Sequence, residues 1–288
     1  MALRAGYIGL GNIGKPMASC WLGGGFETTV YDVVEAPVAE LVGQGAKAAP
    51  SPRAVGEAAD VIGICVRNDD DVRDVLLGEE GVLAGAAAGA VVLIHSTIQP
   101  KTVVEMAEAG RECGVDVVDA AITGGDARAA TGDLAIMAGG DPATLEKARP
   151  ILDVCAKAGV FHCGELGNGM KTKLCINVVT YLQWLAGYEG LALAKASGLP
   201  VETFMEVGLA NGQITPLMDR FLTMHKMPEE ARKSEAVQKL VRGHTLVAEK
   251  DLAWALHLAR ENGLALPGAG LVSQLMARIY GLEDEGRR

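Results

Sequence analysis

The hydrophobic and polar positions of the chain follow two different patterns, and the change between them falls near Gly164. Before that point, short apolar runs such as 61–66 and 91–95 alternate with helical or glycine-rich connections. This alternation is typical of parallel strands joined by crossover helices. After it, apolar residues recur only at helical spacing. We therefore predict an α/β domain over residues 1–164 and an all-α domain over residues 165–288.

One long helix is predicted to join the two domains. No proline intervenes from about Gly167 to Ser197, apolar residues recur at helical spacing, and Gly198-Leu-Pro200 provides a stop. Lys173 and Asn177 lie four positions apart and share one face of this helix. A cation and an amide on one face, next to a glycine-rich turn, suit a small polar substrate. A solvated lysine beside a capping loop explains the spacing equally well.

The first apolar run ends in a glycine-rich turn that opens a helix. In the spacing Gly9-x-Gly11-x-x-Gly14, the glycines permit a tight turn, close approach of the backbone to a pyrophosphate, and close helix–strand packing. The next run ends in Asp32, where a carboxylate accepts hydrogen bonds from both ribose hydroxyls and repels a 2′-phosphate. The pattern predicts a Rossmann-type site for NAD rather than NADP. A helix cap is the competing interpretation of Asp32.

Polar residues follow the carboxyl ends of later strands, where ligands of such sheets bind. Asn68, Ser96 and Thr97 are therefore candidates for cofactor contacts, and helix capping is the competing interpretation. Thr123-Gly-Gly125 follows a further strand and offers a hydroxyl and successive backbone N–H groups, which suit a carboxylate. A plain structural turn is the alternative for this segment.

The predicted helical domain holds one further candidate, Lys250-Asp251, at the start of a strongly periodic stretch. Spacing alone favours an exposed ion pair, which contributes little to stability. A lysine that points towards the substrate site is the alternative. The segments with helical patterning are 201–209, 215–224, 235–240, 245–262 and 267–280, with a surface connection at 226–233.

Composition limits the possible partners. The 288 residues are 49% hydrophobic and carry a formal charge of −10, which argues against a nucleic-acid ligand. The six cysteines form no CxxC pair and no Cys/His metal pattern, so we predict buried, reduced thiols and no metal site. The chain starts directly in a strand, and no apolar run reaches the roughly 18–20 residues of a membrane helix. We therefore expect a cytoplasmic protein without membrane contact.

Four separated motifs, spread over nearly the whole chain, resemble those of the β-hydroxyacid dehydrogenases. This family includes 3-hydroxyisobutyrate dehydrogenase and tartronate semialdehyde reductase and is related to 6-phosphogluconate dehydrogenase. Gly9-Leu-Gly-Asn-Ile-Gly-Lys-Pro-Met-Ala18 resembles its cofactor signature, and Asp119-Ala-Ala-Ile-Thr-Gly-Gly125 its substrate loop. Gly167-Asn-Gly-Met-Lys-Thr-Lys-Leu-Cys-Ile-Asn177 resembles its catalytic segment, and Lys250-Asp-Leu252 a cofactor-side motif.

The resemblance implies a role for each matching residue. Lys173 matches the catalytic lysine and Asn177 the substrate-orienting asparagine. Thr123-Gly-Gly125 matches the groups that hold the substrate carboxylate. Thr97 matches a residue near the nicotinamide, and Lys250 matches a lysine that reaches the cofactor, which replaces the exposed-pair interpretation. The cofactor contacts predicted in total are Gly9, Leu10, Gly11, Asn12, Ile13, Gly14, Asp32, Val66, Asn68, Ser96, Thr97 and Lys250.

The sequence departs from the family pattern at four positions. Thr123 stands where serine is usual, Ala121 replaces proline, and Ile176 replaces the first of two asparagines. Arg67 stands where relatives carry a small or apolar residue, and the motifs assign it no role. These differences bear on the substrate more than on the reaction.

The expected activity is hydride transfer between NAD and a short-chain 3-hydroxy acid or its semialdehyde, with a lysine as general acid/base. One alternative is an NADPH-dependent aldehyde-acid or imine reductase of the same architecture, and another is a non-catalytic cofactor-binding scaffold. A lactate-type mechanism is disfavoured because neither His95 nor His162 has an acidic partner in the local sequence. The resemblance further implies homodimers or homotetramers that associate through the helical domain.

Overall fold

The computed structural model describes residues 3–284. Their contacts divide the chain after Lys173 into two compact units, which we call the sheet unit (up to Lys173) and the helical unit (from Leu174). Residues 1–2 and 285–288, and with them the outer ends of both predicted domains, lie outside the described residues.

The sheet unit is built on one eight-stranded sheet with the strand order β3-β2-β1-β4-β5-β6-β7-β8. Only β6 and β7 pair antiparallel. The chain runs from β1 outwards to β3 and then returns to β4, so the order reverses between β1 and β4, where ligands of such sheets bind. The strands are β1 (Arg4–Ile8), β2 (Glu27–Tyr31), β3 (Lys47–Ala48), β4 (Val61–Ile64), β5 (Val91–Ile94), β6 (Asp116–Thr123), β7 (Ala135–Gly139) and β8 (Gly159–His162).

Both faces of this sheet are covered. Val91 and Leu93 of β5 belong to one buried apolar cluster, and Val92 and Ile94 to another, because successive strand residues point to opposite faces. The helices of the sheet unit are α1 (Gly14–Gly23), α2 (Glu35–Gly43), α3 (Pro52–Ala58), α4 (Asp69–Leu77), α5 (Pro100–Glu112), α6 (Gly125–Ala130) and α7 (Pro142–Asp153). The predicted Rossmann-type α/β architecture is confirmed.

The helical unit follows on α8 (Asn168–Ala196), which begins in the sheet unit and continues past the division. Its core contains the fully buried Leu222, Leu252 and Met276, and Trp184 stacks on Phe221 with ring centroids 4.6 Å apart. Between Leu174 and Asp284 the structure contains helices and connections and no strand, which confirms the all-α prediction. The remaining helices are α9 (Val201–Ala210), α10 (Pro216–Lys226), α11 (Glu229–Arg232), α12 (Glu235–Glu261) and α13 (Pro267–Tyr280).

Two helices and one strand differ from the sequence-based prediction. The separate segments 235–240 and 245–262 form the single helix α12. Gly243 lies between them and is helical, and no atom lies within 4 Å of the position that a Cβ would take there. The surface connection contains the short helix α11. Strand β3 has two exposed residues and therefore no apolar run that would reveal it.

The structure bears on two further expectations, the burial of the cysteines and the absence of a membrane-spanning helix. All six cysteines are free, but only Cys155 is fully buried, whereas Cys113 and Cys175 are exposed. The prediction of buried thiols is therefore correct for Cys155 and wrong for Cys113 and Cys175. No helix within residues 3–284 is long and apolar enough to cross a membrane.

Candidate active site

The turn between β1 and α1 requires glycine at two of its three motif positions for steric reasons. Gly9 has a φ of +88°, and a Cβ there would lie 2.2 Å from the carbonyl oxygen of Cys65. A Cβ on Gly14 would lie 1.8 Å from the carbonyl oxygen of Gly9. At Gly11 no atom lies within 4 Å of a Cβ, and the residue is exposed. The open space beside Gly11 fits the close approach of a pyrophosphate to the backbone.

Asp32 holds this turn from the end of β2. Its Oδ2 accepts a hydrogen bond from the Leu10 N–H at 2.5 Å, and its Oδ1 accepts one from the Val34 N–H at 2.8 Å. Because α2 begins after Val34 without a side-chain cap, the helix-cap interpretation of Asp32 is wrong. Asp32 remains partly exposed beside the point where the strand order reverses, and Asn12 and Ile13 lie between Gly11 and the start of α1.

The loops after β4 and β5 are joined by a hydrogen bond. The Val66 N–H donates to Ser96 Oγ at 2.7 Å, so Ser96 caps no helix and the capping interpretation fails for it. Asn68 does cap a helix, since its Oδ1 accepts from the Asp71 N–H at 2.8 Å at the start of α4. Thr97 follows Ser96 and is half-buried. The predicted cofactor contacts of these four residues stay predictions.

The segment after β6 turns sharply. Thr123 is the last residue of this strand and pairs with Ala135 of β7. Gly124 and Gly125 have φ values of +135° and +75°, which side chains rarely adopt, so the turn itself requires both glycines. Thr123 and Gly124 are half-buried and Gly125 is exposed. The chain therefore presents a hydroxyl and open backbone at one strand end.

Helix α8 carries the candidate lysine and asparagine. Lys173 is half-buried and lies one turn before Asn177, which is 6% exposed. The Asn177 Nδ2 donates to Asp251 Oδ2 at 2.7 Å. Because a carboxylate only accepts hydrogen bonds, this contact fixes the orientation of the amide. Asn177 Oδ1 therefore faces away from Asp251.

Asp251 is a buried partner of the candidate residue Asn177, and the sequence did not reveal this contact. It is 2% exposed and accepts from Lys250 Nζ at 2.8 Å. The Tyr181 hydroxyl lies 3.5 Å from the same carboxylate, and burial together with the charge of Asp251 raises the pKa of Tyr181 well above its usual value. The interpretation of Lys250 and Asp251 as an exposed pair is therefore wrong, because the acid is buried. An acid next to a lysine in the sequence gives no sign of such burial.

His95 and His162 each contact a backbone carbonyl group and not an acid. His95 is buried, its Nδ1 lies 2.7 Å from the Ala120 carbonyl oxygen, and burial lowers the pKa of His95 to about 4. The ring is therefore neutral at physiological pH and donates to the carbonyl. His162 contacts the carbonyl oxygen of Gly140 at 2.9 Å. Neither of these two rings is hydrogen-bonded to a carboxylate, so neither forms the His–Asp pair that lactate-type chemistry requires.

Three of the residues that depart from the family pattern differ in burial and in their contacts. Ala121 is buried in β6, whereas the Ile176 side chain on α8 is exposed. Arg67 donates to both oxygens of Asp71, at 2.7 and 2.8 Å, and its side chain is 85% exposed. This geometry gives Arg67 a partner in the first turn of α4.

The fold and the turn define the class of protein. A parallel sheet covered on both faces, with a glycine-rich turn where the strand order reverses and an acid at the end of β2, is the architecture of the Rossmann-type nucleotide-binding proteins. The long helix α8 and the helical unit that follows it restrict this class to those members in which an all-helical unit follows the sheet.

Family comparisons agree with this classification. Residues 4–167 match the family model for the NAD binding domain of 6-phosphogluconate dehydrogenase. Residues 167–287 match the model described as NAD-binding of NADP-dependent 3-hydroxyisobutyrate dehydrogenase. The chain belongs to the β-hydroxyacid dehydrogenase family of NAD(P)-dependent oxidoreductases.

Individual relatives span the whole chain or most of it. The chain is 32% identical to 2-(hydroxymethyl)glutarate dehydrogenase of Eubacterium barkeri, over 99% of this chain and 92% of that protein. It is 38% identical to the NAD-dependent L-serine dehydrogenase of Pseudomonas aeruginosa, over 70% of this chain and 67% of that protein. A solved 3-hydroxyisobutyrate dehydrogenase from Mycobacterium tuberculosis, with L-serine, superposes with a TM-score of 0.79 at 26% identity, covering 98% and 94% of the two chains.

Proposed function

We propose that the protein is an NAD-dependent dehydrogenase that interconverts a short-chain 3-hydroxy acid and its semialdehyde, with Lys173 as the general acid/base. One observation carries this proposal: Lys173 lies one helical turn before Asn177, whose amide is oriented by the buried Asp251. The names of the similar proteins support the substrate class. Hydroxymethylglutarate, L-serine and 3-hydroxyisobutyrate all carry the hydroxyl on the carbon next to the one that bears the carboxylate.

The oxidation moves a hydride from the alcohol carbon and a proton from its hydroxyl. NAD, when bound, accepts the hydride. Lys173 in its uncharged form takes the proton, and Asn177 Oδ1 accepts a hydrogen bond that orients the lysine or the hydroxyl. The Thr123 hydroxyl and the N–H groups of Gly124 and Gly125 hold the carboxylate of the substrate in place.

The cofactor would lie along the turn and the neighbouring loops. We assign its contacts to the open backbone at Gly11, the carboxylate of Asp32 and the loops that carry Val66 and Ser96, with further contacts from Leu10, Asn12, Ile13, Asn68, Thr97 and Lys250. The open space at Gly11 and the partly exposed Asp32 support this assignment. In this scheme residues 1–164 bind the cofactor, and residues 165–288 supply Lys173 and Asn177 and associate with other copies of the chain.

The Lys173→Ala variant tests the catalytic role. It should bind NAD as well as the wild type does and lose about 10²–10⁴-fold in turnover, the range that general acid–base catalysis supplies. A panel of C3–C6 hydroxy acids and semialdehydes, read by the absorbance of reduced nicotinamide with both cofactors, provides the measurement and identifies the substrate. The matched control is Lys171→Ala, because Lys171 is exposed on the same helix and its amine donates to Asn168 Oδ1 at 3.0 Å. Near-normal turnover of Lys173→Ala would exclude the proposed mechanism.

The preference for NAD depends on Asp32. Replacing Asp32 with alanine removes the charge that repels a 2′-phosphate, so the ratio of kcat/KM for NAD to that for NADP should fall. Glu35→Ala is the control, since Glu35 is exposed in the first turn of α2. The alternative, an NADPH-dependent reductase, has support in the description of the second matching family model. A wild type that turns over faster with NADPH would favour that alternative.

A further inference from the structure

The start of α8 is capped by a residue from a distant strand. Asp119 of β6 is fully buried; its Oδ1 accepts from the Gly167 N–H at 2.8 Å and its Oδ2 from the Met170 N–H at 2.7 Å. The N–H groups at the start of a helix have no partner within the helix, and a negative charge there is favourable against the helix dipole. Asp119 therefore fixes the first turn of α8, and Lys173 lies on the next turn of the same helix.

Glycines on both sides let the carboxylate come this close. A Cβ on Gly169 would lie 2.7 Å from Asp119 Oδ2 and 2.4 Å from the carbonyl oxygen of Met137. A Cβ on Gly139 would lie 2.6 Å from Asp119 Oδ1. Any side chain at either position would push the helix away from the strands. The glycines of this segment thus serve the contact between α8 and the sheet.

The strand that holds the helix also carries the proposed substrate loop. Asp119 and Thr123 lie four residues apart on β6, so their side chains point to the same face of the sheet. Lys173 lies four residues after Gly169, one turn further along α8. Two short hydrogen bonds therefore set the register between the helix that carries Lys173 and the strand that ends in Thr123, and all of these residues belong to the sheet unit.

We propose that Asp119 is the positioning residue for Lys173: by capping α8 from β6, it holds the amine at the correct place relative to a substrate clamped at Thr123. This inference rests on the function proposed above. Misplacement of a catalytic group by about 1 Å costs on the order of 10²-fold in rate. Asp119 thus acts on turnover through Lys173 without touching the substrate.

The test uses the full-length protein and the variant Asp119→Asn, which keeps the shape of the side chain but can accept at only one of its two positions. We expect kcat to fall by about 10–100-fold, with the affinity for NAD unchanged within twofold. Amide hydrogen exchange at Gly167 and Met170 should become faster. A second variant, Gly169→Ala, serves if the charge change in Asp119→Asn hinders folding. It displaces the same helix turn, keeps the carboxylate and should lower kcat in the same way.

The matched control is Asp141→Asn. Asp141 also caps a helix, since its Oδ2 accepts from the Thr144 N–H at 2.9 Å at the start of α7. Helix α7 carries none of the proposed site residues, so this variant should lose some stability and keep its kcat. If Asp141→Asn lost as much kcat as Asp119→Asn at a similar loss of melting temperature, Asp119 would be a structural cap and not a positioning residue.

A double-mutant cycle with Lys173→Ala separates this inference from the proposed function. If Asp119 acts through Lys173, Asp119→Asn should reduce the residual turnover of Lys173→Ala by less than twofold. An equally large loss in both backgrounds overturns the positioning role and leaves the function standing. Normal turnover of Lys173→Ala alone overturns the function, whatever Asp119→Asn does. Faster exchange at Gly167 and Met170 with unchanged kcat would show that Asp119 caps the helix without positioning the lysine.

Discussion

In the glycine-rich turn, packing within the chain requires glycine at two positions and does not require it at the third. Gly9 and Gly14 lie against backbone carbonyl groups at distances that no side chain tolerates. Gly11 has open space around it and is exposed. No neighbouring group requires glycine at this position, and the open space beside it would admit a pyrophosphate to the backbone. This is the role that we propose for Gly11.

Replacement of Gly11 with valine tests this argument at the residue scale. The side chain would enter the space assigned to the pyrophosphate, so we expect the affinity for NAD to fall by at least tenfold while the melting temperature of the free protein stays within about 2 °C. Calorimetric titration with NAD and a thermal melt provide the two measurements. Gly23→Val is the control, because Gly23 at the end of α1 also has nothing within 4 Å of a Cβ. Unchanged NAD affinity in Gly11→Val would place the cofactor elsewhere.

Residue types alone could predict which positions are polar at strand ends but not what each side chain binds. Asn68 caps a helix as its position suggested, whereas Ser96 and Asp32 accept from backbone N–H groups of other loops. These partners lie 30 and 22 residues away in the chain, so no local pattern contains them. The burial of Asp251 was hidden for the same reason: its partner Asn177 is 74 residues distant.

At the scale of elements, prediction succeeded where the apolar pattern is long or strong. Helix α8 was predicted within a residue of its observed ends, because no proline interrupts it, the apolar pattern covers many turns and Gly198-Leu-Pro200 provides a stop. Helix α13 matches at both ends, where Pro267 and Gly281 mark its limits. The pattern failed for β3, which is held in place by its pairing with β2 and has no apolar residue run of its own.

Strands β5 and β6 are linked by a buried histidine, which predicts how stability depends on pH. Burial lowers the pKa of His95 from 6.5 to about 4, so the unfolded chain binds a proton at a higher pH than the folded chain does. Stability from this group is complete above pH 6.5 and is lost as the pH falls towards 4, by up to about 3 kcal/mol. Burial also lowers the pKa of His225, which adds a loss in the same direction.

Denaturant unfolding between pH 4 and pH 7 measures this loss. In His95→Gln the amide can still donate to the Ala120 carbonyl, but the group no longer titrates, so the free energy of unfolding should fall less steeply with decreasing pH. His257→Gln is the control, since the His257 side chain is 44% exposed. Parallel pH profiles for the wild type and His95→Gln would show that His95 is not buried in its neutral form.

For the whole molecule, the distribution of exposed apolar side chains bears on self-association. Of the large apolar side chains exposed within residues 3–284, two thirds belong to the helical unit, although it is the smaller of the two. Leu193, Val207 and Leu271 are each more than half exposed there. Exposed apolar side chains concentrated on one unit are expected at an interface. This distribution agrees with the family resemblance, which implies association through the helical domain.

We therefore expect light scattering after size exclusion to give a mass of two or four chains of 29.9 kDa. Each chain carries a formal charge of −10, so copies repel one another at low salt. Salt screens this repulsion, with a Debye length of about 10 Å at 0.1 M, but does not weaken apolar contacts. The mass should therefore stay constant or rise between about 0.05 and 0.5 M sodium chloride. A monomer at tens of micromolar, or an oligomer that salt dissociates, would show that these apolar side chains do not form the interface.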